Sequence, residues 1–341
     1  MLKIDAFPHI LPRKLYERMF DQATAEATNM RKRVAGIPVL YDLDARFRVM
    51  ERFGDDYRQI LTIASPPIET LGPPAVSRDL ARLANDELAE LCRKYPDRFA
   101  GFSASLAMND PDAAVAEAER ATKELGALGV QIFTNVNGLA LDDARFAPLF
   151  ATLAKLDKPI WVHPARAAGH PDYLTEDRSK YELWWVFGWP YETAIFMSRL
   201  IFSGHLDRYP RLRILTHHGG GMVPHFAGRI GPGLDQMGAR TPDEDLTKVR
   251  DALTKRPFDY YKMFYGDTAL FGAEHALRCA IDFFGVDHML FGTDMPFDPE
   301  KGPMFIRETI ANLDAIALAP AERRRIDEDN ARHVLRIPAR P

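Results

Sequence analysis

Residues 159–163 read Pro-Ile-Trp-Val-His, an apolar run that stops on an imidazole. The pattern recurs at remote points of the chain. LKIDAF at 2–7 leads through Pro8 to His9, RILTH at 213–217 is followed by His218 and Gly219-Gly220-Gly221, and HMLFG at 288–292 leads to Thr293 and Asp294. Short apolar runs rich in β-branched and aromatic residues predict strands. A chain that repeatedly delivers imidazole or carboxylate at strand ends is building one polar site from separate parts. In a (β/α)8 barrel the C-terminal strand ends converge on one face.

Working outward, strands are predicted near 2–7, 58–64, 99–104, 129–133, 159–163, 212–217, 263–268 and 288–293. Helices are predicted between them, at 45–54, 78–98, 112–129, 146–156, 192–206 and 272–285. Eight strands separated by helices favour parallel pairing with right-handed crossovers, and the count favours a closed α/β barrel over an open doubly wound sheet. The chain's 341 residues, 46% hydrophobic, suffice for one such domain over 1–341. Two segments exceed an ordinary connection: 8–44, which carries Arg31, Lys32 and Arg33, and 164–191, which carries Trp184, Trp185, Phe187, Trp189 and Tyr191. Loops of this length are usually functional, and the aromatic one suits an active-site wall, a subunit interface, or both.

Bulk properties narrow the function class. A net charge of −4 without a basic stripe argues against nucleic acid as a partner. No run approaches the ~20 apolar residues of a membrane span. Two cysteines, Cys92 and Cys279, cannot form a disulfide framework and suit a reducing compartment. The first residues lead straight into a strand without a leader pattern, so a cytoplasmic protein is expected.

His163, His9 and Asp294 together form a nitrogen and oxygen donor set suited to one divalent ion, Zn²⁺ first, with Mn²⁺ or Fe²⁺ as alternatives. His217 and His218 are adjacent, so strand alternation admits only one to the site. The expected one is His218, nearer the strand tip, acting as acid or base. The three glycines after it would let backbone approach closely and leave amides free for an anionic group. No G-x-S-x-G elbow, Walker loop or G-x-G-x-x-G fingerprint is present.

A resemblance adds to this reading. KIDAFPHILP (3–12), PDRFAGFSAS (96–105), GALGVQIFTNVNG (126–138), PIWVHP (159–164), the long stretch from LIFSGHLD to HFAGRI (200–230), FYGDTALFG (264–272) and LFGTDMPF (290–297) follow one another in order. In that order the chain resembles the amidohydrolase superfamily. It is most similar to the branch that includes α-amino-β-carboxymuconate-ε-semialdehyde decarboxylase and γ-resorcylate decarboxylase. The resemblance implies a barrel with one divalent metal. Its ligands would be an H-x-H or E-x-H pair after the first strand, here Phe7 and His9, then His163 and Asp294. It also implies His218 as the proton carrier, and Arg229 as an arginine given across a dimer to the substrate carboxylate. Phe7 departs from the pattern and removes one ligand. VQIFT at 130–134 offers no lysine to bridge a second metal.

The resulting expectation is a metal-dependent decarboxylase of a small aromatic or unsaturated carboxylic acid, working as a homodimer. His218 and Asp294 would be catalytic. Arg229, with Arg31 or Arg33, would hold the carboxylate, and Trp189 and Phe7 would line the substrate site. The alternatives are a metal-dependent lactone or amide hydrolase, and a metal-free barrel serving as a binding subunit.

Overall fold

In the computed structural model the eight predicted strands form one parallel sheet, joined by a ninth short strand, His9–Ile10, that pairs in parallel with Thr62 and Ile63. The structure describes residues 1–22, 25–242 and 244–337. The strands are β1 (Lys3–Asp5), β2 (Tyr57–Ile63), β3 (Phe99–Ser105), β4 (Gly129–Phe133), β5 (Ile160–His163), β6 (Ile214–Thr216), β7 (Tyr265–Asp267) and β8 (Met289–Leu290). They pair in chain order, with registers such as Lys3 opposite Tyr57, Val130 opposite Ile160 and Phe133 opposite His163. Backbone bonds bring the two ends of the sheet together: Ala6 N donates to Phe291 O (2.8 Å), Asp294 N to Phe7 O (3.1 Å) and His9 N to Met295 O (2.7 Å). The fold is a (β/α)8 barrel.

Each strand is followed by at least one helix. The one that leads into β2 is Leu43–Glu51, whose N-cap Asp42 accepts from the amides of Asp44 and Ala45. The longest, Pro74–Lys94, buries Leu80, Ala81, Ala84 and Leu88 at helical spacing. The helix expected at 112–129 ends at Lys123, because Gly126 (φ +77°) turns the chain into β4. The long segment after β1 is not plain loop. It holds helices Arg13–Phe20 and Ala25–Val34, the first buried through Leu15 and Met19.

Two apolar layers result. The larger lies between sheet and helices. The smaller fills the barrel with Ile4, Ala6, Phe7, Ile60, Trp161, Leu215 and Leu290. Ala331, Val334 and Leu335 belong to it too, the first two from helix Asn330–Val334. Trp161 Nε1 donates to Ala6 O (2.8 Å) across this plug, so the barrel is a packed core that supports whatever sits on top. Cys92 and Cys279 are free and partly buried, and burial pushes the Cys92 thiol up to about 12. No helix among the described residues is long and apolar enough to cross a membrane.

Candidate metal centre and active site

The C-terminal strand ends bring His9, His163, His217, His218 and Asp294 together. His9 Nε2 lies 3.0 Å and His217 Nε2 3.3 Å from Asp294 Oδ1, and His218 Nε2 lies 3.6 Å from Asp294 Oδ2. The ring centroids of His9 and His163 are 5.2 Å apart, those of His163 and His218 6.1 Å. All five residues are buried.

Backbone anchors hold the parts in place. Asp5, at the end of β1, accepts from Tyr57 Oη (2.5 Å), Thr293 Oγ1 (2.5 Å) and the amides of Phe7 and Thr293. It thereby ties the His9 segment to the Asp294 segment. Burial raises its pKa to about 6 against those hydrogen bonds. Arg46, fully buried, donates to His9 O (2.8 Å) and to Gln59.

The tautomers follow from the acceptors. Thr62 Oγ1 spends its one proton on Pro8 O, so it accepts from His9 Nδ1 (3.1 Å). His163 Nδ1 faces Pro164 O (2.7 Å), and His217 Nδ1 faces the carboxylate of Asp267. Each imidazole therefore carries a proton on Nδ1 and aims Nε2 at the centre. His9 Nε2 and His217 Nε2 make no hydrogen bond of acceptable geometry despite their closeness to Asp294. A nitrogen lone pair facing a carboxylate is repulsive until a proton or a metal cation lies between them. One donor atom from each of His9, His163, His217 and Asp294 lies within 4.8 Å of every other. This donor set and its satisfied outer shell fit a divalent ion.

Electrostatics agree. Burial, then the neighbouring imidazoles, hold His163 well below the usual histidine range, so it is neutral and ready to ligate. Burial also lowers His9 and His218. Burial opposes charge on His217 as well, but Asp267 and Asp294 outweigh it and raise its pKa to about 9, so without a cation its Nε2 holds a proton against Asp294, and a metal would bind in that proton's place. Burial would raise Asp294, yet His217, His218 and His9 hold it well below the carboxylate range.

Several expectations need correction. Strand alternation does not separate His217 from His218. β6 ends at Thr216, and His218 takes a left-handed backbone (φ +55°), which turns both rings onto the site. Two of the three glycine amides are not left free for an anion: Gly219 N donates to Asp267 Oδ1 (3.0 Å) and Gly221 N to His218 O (3.0 Å). The glycines serve conformation and closeness instead. All three have positive φ, and a Cβ on Gly220 would lie 2.6 Å from the Phe284 ring. Phe7 was expected against substrate, but it is fully enclosed in the barrel plug, beneath the imidazoles. Its ring stacks on His217 (3.9 Å, 16°).

Arg229 is exposed on helix Ala227–Asp235, and its side chain makes no hydrogen bond or ion pair among the described residues. Arg31 points away, donating to Phe20 O. Arg33 reaches the site. Its guanidinium lies over Phe297 (4.3 Å) and Trp189 (5.6 Å), and Asp294 and Glu182 favour its charge against burial. It has no hydrogen-bond or ion-pair partner among the described residues. Trp189 is buried, lies near-parallel to His218 (6.3 Å, 19°) and meets His163 edge-on (5.2 Å). His217, Asp267 and Phe297 were missed from sequence. An aspartate ending β7 in FYGDT was the one available signal for Asp267.

The sequence profile of the Amidohydrolase family matches residues 38–337. The chain is 33% identical over 258 residues to the 2-amino-3-carboxymuconate-6-semialdehyde decarboxylase of Dictyostelium discoideum, covering 75% of this chain and 67% of that protein. It is 32% identical over 308 residues to the γ-resorcylate decarboxylase of Polaromonas sp. JS666, covering 86% and 87%. A solved dihydroxybenzoic acid decarboxylase from Polaromonas sp. JS666, with bound manganese and the inhibitor 2-nitroresorcinol, matches with a TM-score of 0.76 at 28% identity. The match covers 98% of this chain and 97% of that one.

Proposed function

The chain belongs to the Amidohydrolase family, and from that premise we propose how its site works. It is a metal-dependent decarboxylase of a small aromatic or unsaturated carboxylic acid. The observation that carries the reading is a guanidinium with no hydrogen-bond or ion-pair partner among the described residues, Arg33, set beside a buried imidazole and carboxylate cluster. That pairs a receptor for an anionic group with a centre for a cation.

His9, His163 and Asp294 hold one divalent ion, and their mixed nitrogen and oxygen donors suit zinc, with manganese or iron as alternatives. An ion held there would supply Lewis-acid polarisation of a substrate oxygen and a charge to offset the one developing as CO₂ leaves. Arg33 receives the carboxylate through its planar fork, which Lys cannot reproduce. Trp189 and Phe297 flank a planar ring and exclude water. His218 delivers the proton to the carbon that loses CO₂, and its lowered pKa makes its protonated form a stronger acid. Phe7 is the floor of the site rather than a wall.

A single domain and a cytoplasmic location complete the proposal. So does a homodimer. The segment after β5 exposes Tyr173, Leu174, Tyr181, Phe187 and Tyr191, an apolar surface suited to a second copy. Arg229, with no role in its own site, then serves the partner's. Arg229→Lys is expected to raise KM roughly tenfold through loss of one charged hydrogen bond. A fully active monomer in light scattering and enzyme assays would remove both parts of this claim.

Arg33→Ala is expected to raise KM by about 10–100-fold, the worth of charged hydrogen bonds to the carboxylate. Arg33→Lys should recover only part of it. An unchanged KM in both variants would place the carboxylate elsewhere. The reaction itself is tested with 2,6-dihydroxybenzoate, other ortho-hydroxybenzoates and unsaturated dicarboxylates. CO₂ release and, in D₂O, one deuterium at the vacated carbon are expected. Release of an acid carrying ¹⁸O from water out of an ester, lactone or amide, with no CO₂ from any acid, would mean hydrolysis instead.

A further inference from the structure

We propose that His217 supplies the metal ligand that Phe7 has removed, so that the first-strand ligand has been replaced from the sixth strand. This rests on the metal-dependent reading of the same site. Phe7 stands first in the Phe7-Pro8-His9 segment, and a phenyl ring has no lone pair to donate. That ring lies flat on His217, 3.9 Å between centroids and 16° between planes. The space beside Phe7 is thus filled by an imidazole from another strand.

Three further observations point His217 at an ion. Its Nε2 is buried without a hydrogen-bond partner. It belongs to the group of four donors within 4.8 Å of one another. Ligands about 2.1 Å from a tetrahedral zinc stand ~3.4 Å apart, and ~4.2 Å if directly opposite, so the group must close by up to about 1.4 Å around an ion, a movement within reach of side-chain torsions. Its other nitrogen is bonded to Asp267, a carboxylate itself fixed by the amides of Gly219 (3.0 Å) and Ala269 (3.2 Å). A carboxylate on the far nitrogen is the arrangement that sets the tautomer and raises the basicity of a metal-bound histidine. His9 and His163 are held the same way, by Thr62 and by Pro164 O. His218 differs. It is the histidine beside the Trp189 face, while His217 has no exposed surface. The adjacent pair thus divides into a ligand below and a proton carrier above. The rebuilt set has three nitrogens and one oxygen, which favours Zn²⁺ over Mn²⁺.

The test is metal affinity of the full-length chain, by competition of Zn²⁺ against a chromophoric chelator, with the visible spectrum of the Co²⁺ form as a second readout. His217→Ala is expected to weaken Zn²⁺ binding by more than the ~10–100-fold typical of an outer-shell change, and Asp267→Asn by about that amount. The Co²⁺ spectrum should change in His217→Ala. The double variant Phe7→His/His217→Ala should recover binding, since it returns the ligand to the first strand. Thermal unfolding of the metal-free forms controls for folding. Wild-type affinity and an unchanged Co²⁺ spectrum in His217→Ala would overturn the inference and leave the metal-dependent reading intact. A wild-type chain that binds no divalent ion would overturn both. Loss in His217→Ala without recovery in the double variant would keep His217 as a ligand and overturn the exchange of positions.

Discussion

His163→Ala is expected to lose metal and turnover together, with kcat/KM falling by ~10³-fold or more. An ion stabilising developing charge is worth several kcal/mol, and each 1.36 kcal/mol is a factor of ten. The residue is suited to the role because its Nδ1 proton is spent on Pro164 O, and burial among other imidazoles keeps it neutral. Its Nε2 then has a single use. Elemental analysis of protein purified without chelator should find about one divalent ion per wild-type chain, and almost none in the variant. Removing the ion from the wild type should reproduce the same loss, restored by adding it back. Full turnover in metal-free protein would contradict the assignment.

His218→Ala should separate the two properties. Metal content should stay near the wild-type level while turnover falls roughly 10²–10⁴-fold, the usual loss for a general acid or base. The position supports that division. His218 Nε2 is 3.6 Å from Asp294 Oδ2, farther than His9 or His217 stands from Oδ1, and its ring runs alongside Trp189 where a planar substrate would lie. KM should change less than kcat, because the proton is needed in the transition state and not for binding. Should His218→Ala lose its ion as readily as His163→Ala, the residue is a ligand and the proton must come from elsewhere.

Much of the architecture was legible in the residues themselves. All eight strands lie where β-rich runs placed them, because a fully enclosed parallel strand must be apolar along its length and shows that in any window. The end of such a run marks where polar groups become affordable, which is why His9, His163 and Asp294 could be singled out. The helix after β3 was overextended, since apolar spacing continued through Leu125 while Gly126 turned the backbone.

What remained hidden depended on directions and distances that one segment does not encode. Alternation predicts side-chain faces only while the strand stays extended. One left-handed residue, His218, was enough to bring two adjacent imidazoles to one site. Arg33 is one of three consecutive basic residues, and only the packing of its helix over Phe297 distinguishes it from Arg31. Asp267 became significant when β7 was set beside β6, within reach of His217. The sequence by itself determined the barrel, the ends of its strands and most of the polar groups placed there. Which of those groups face one another was decided only by the tertiary structure, because facing depends on backbone angles past the strand ends and on elements brought in from more than a hundred residues away.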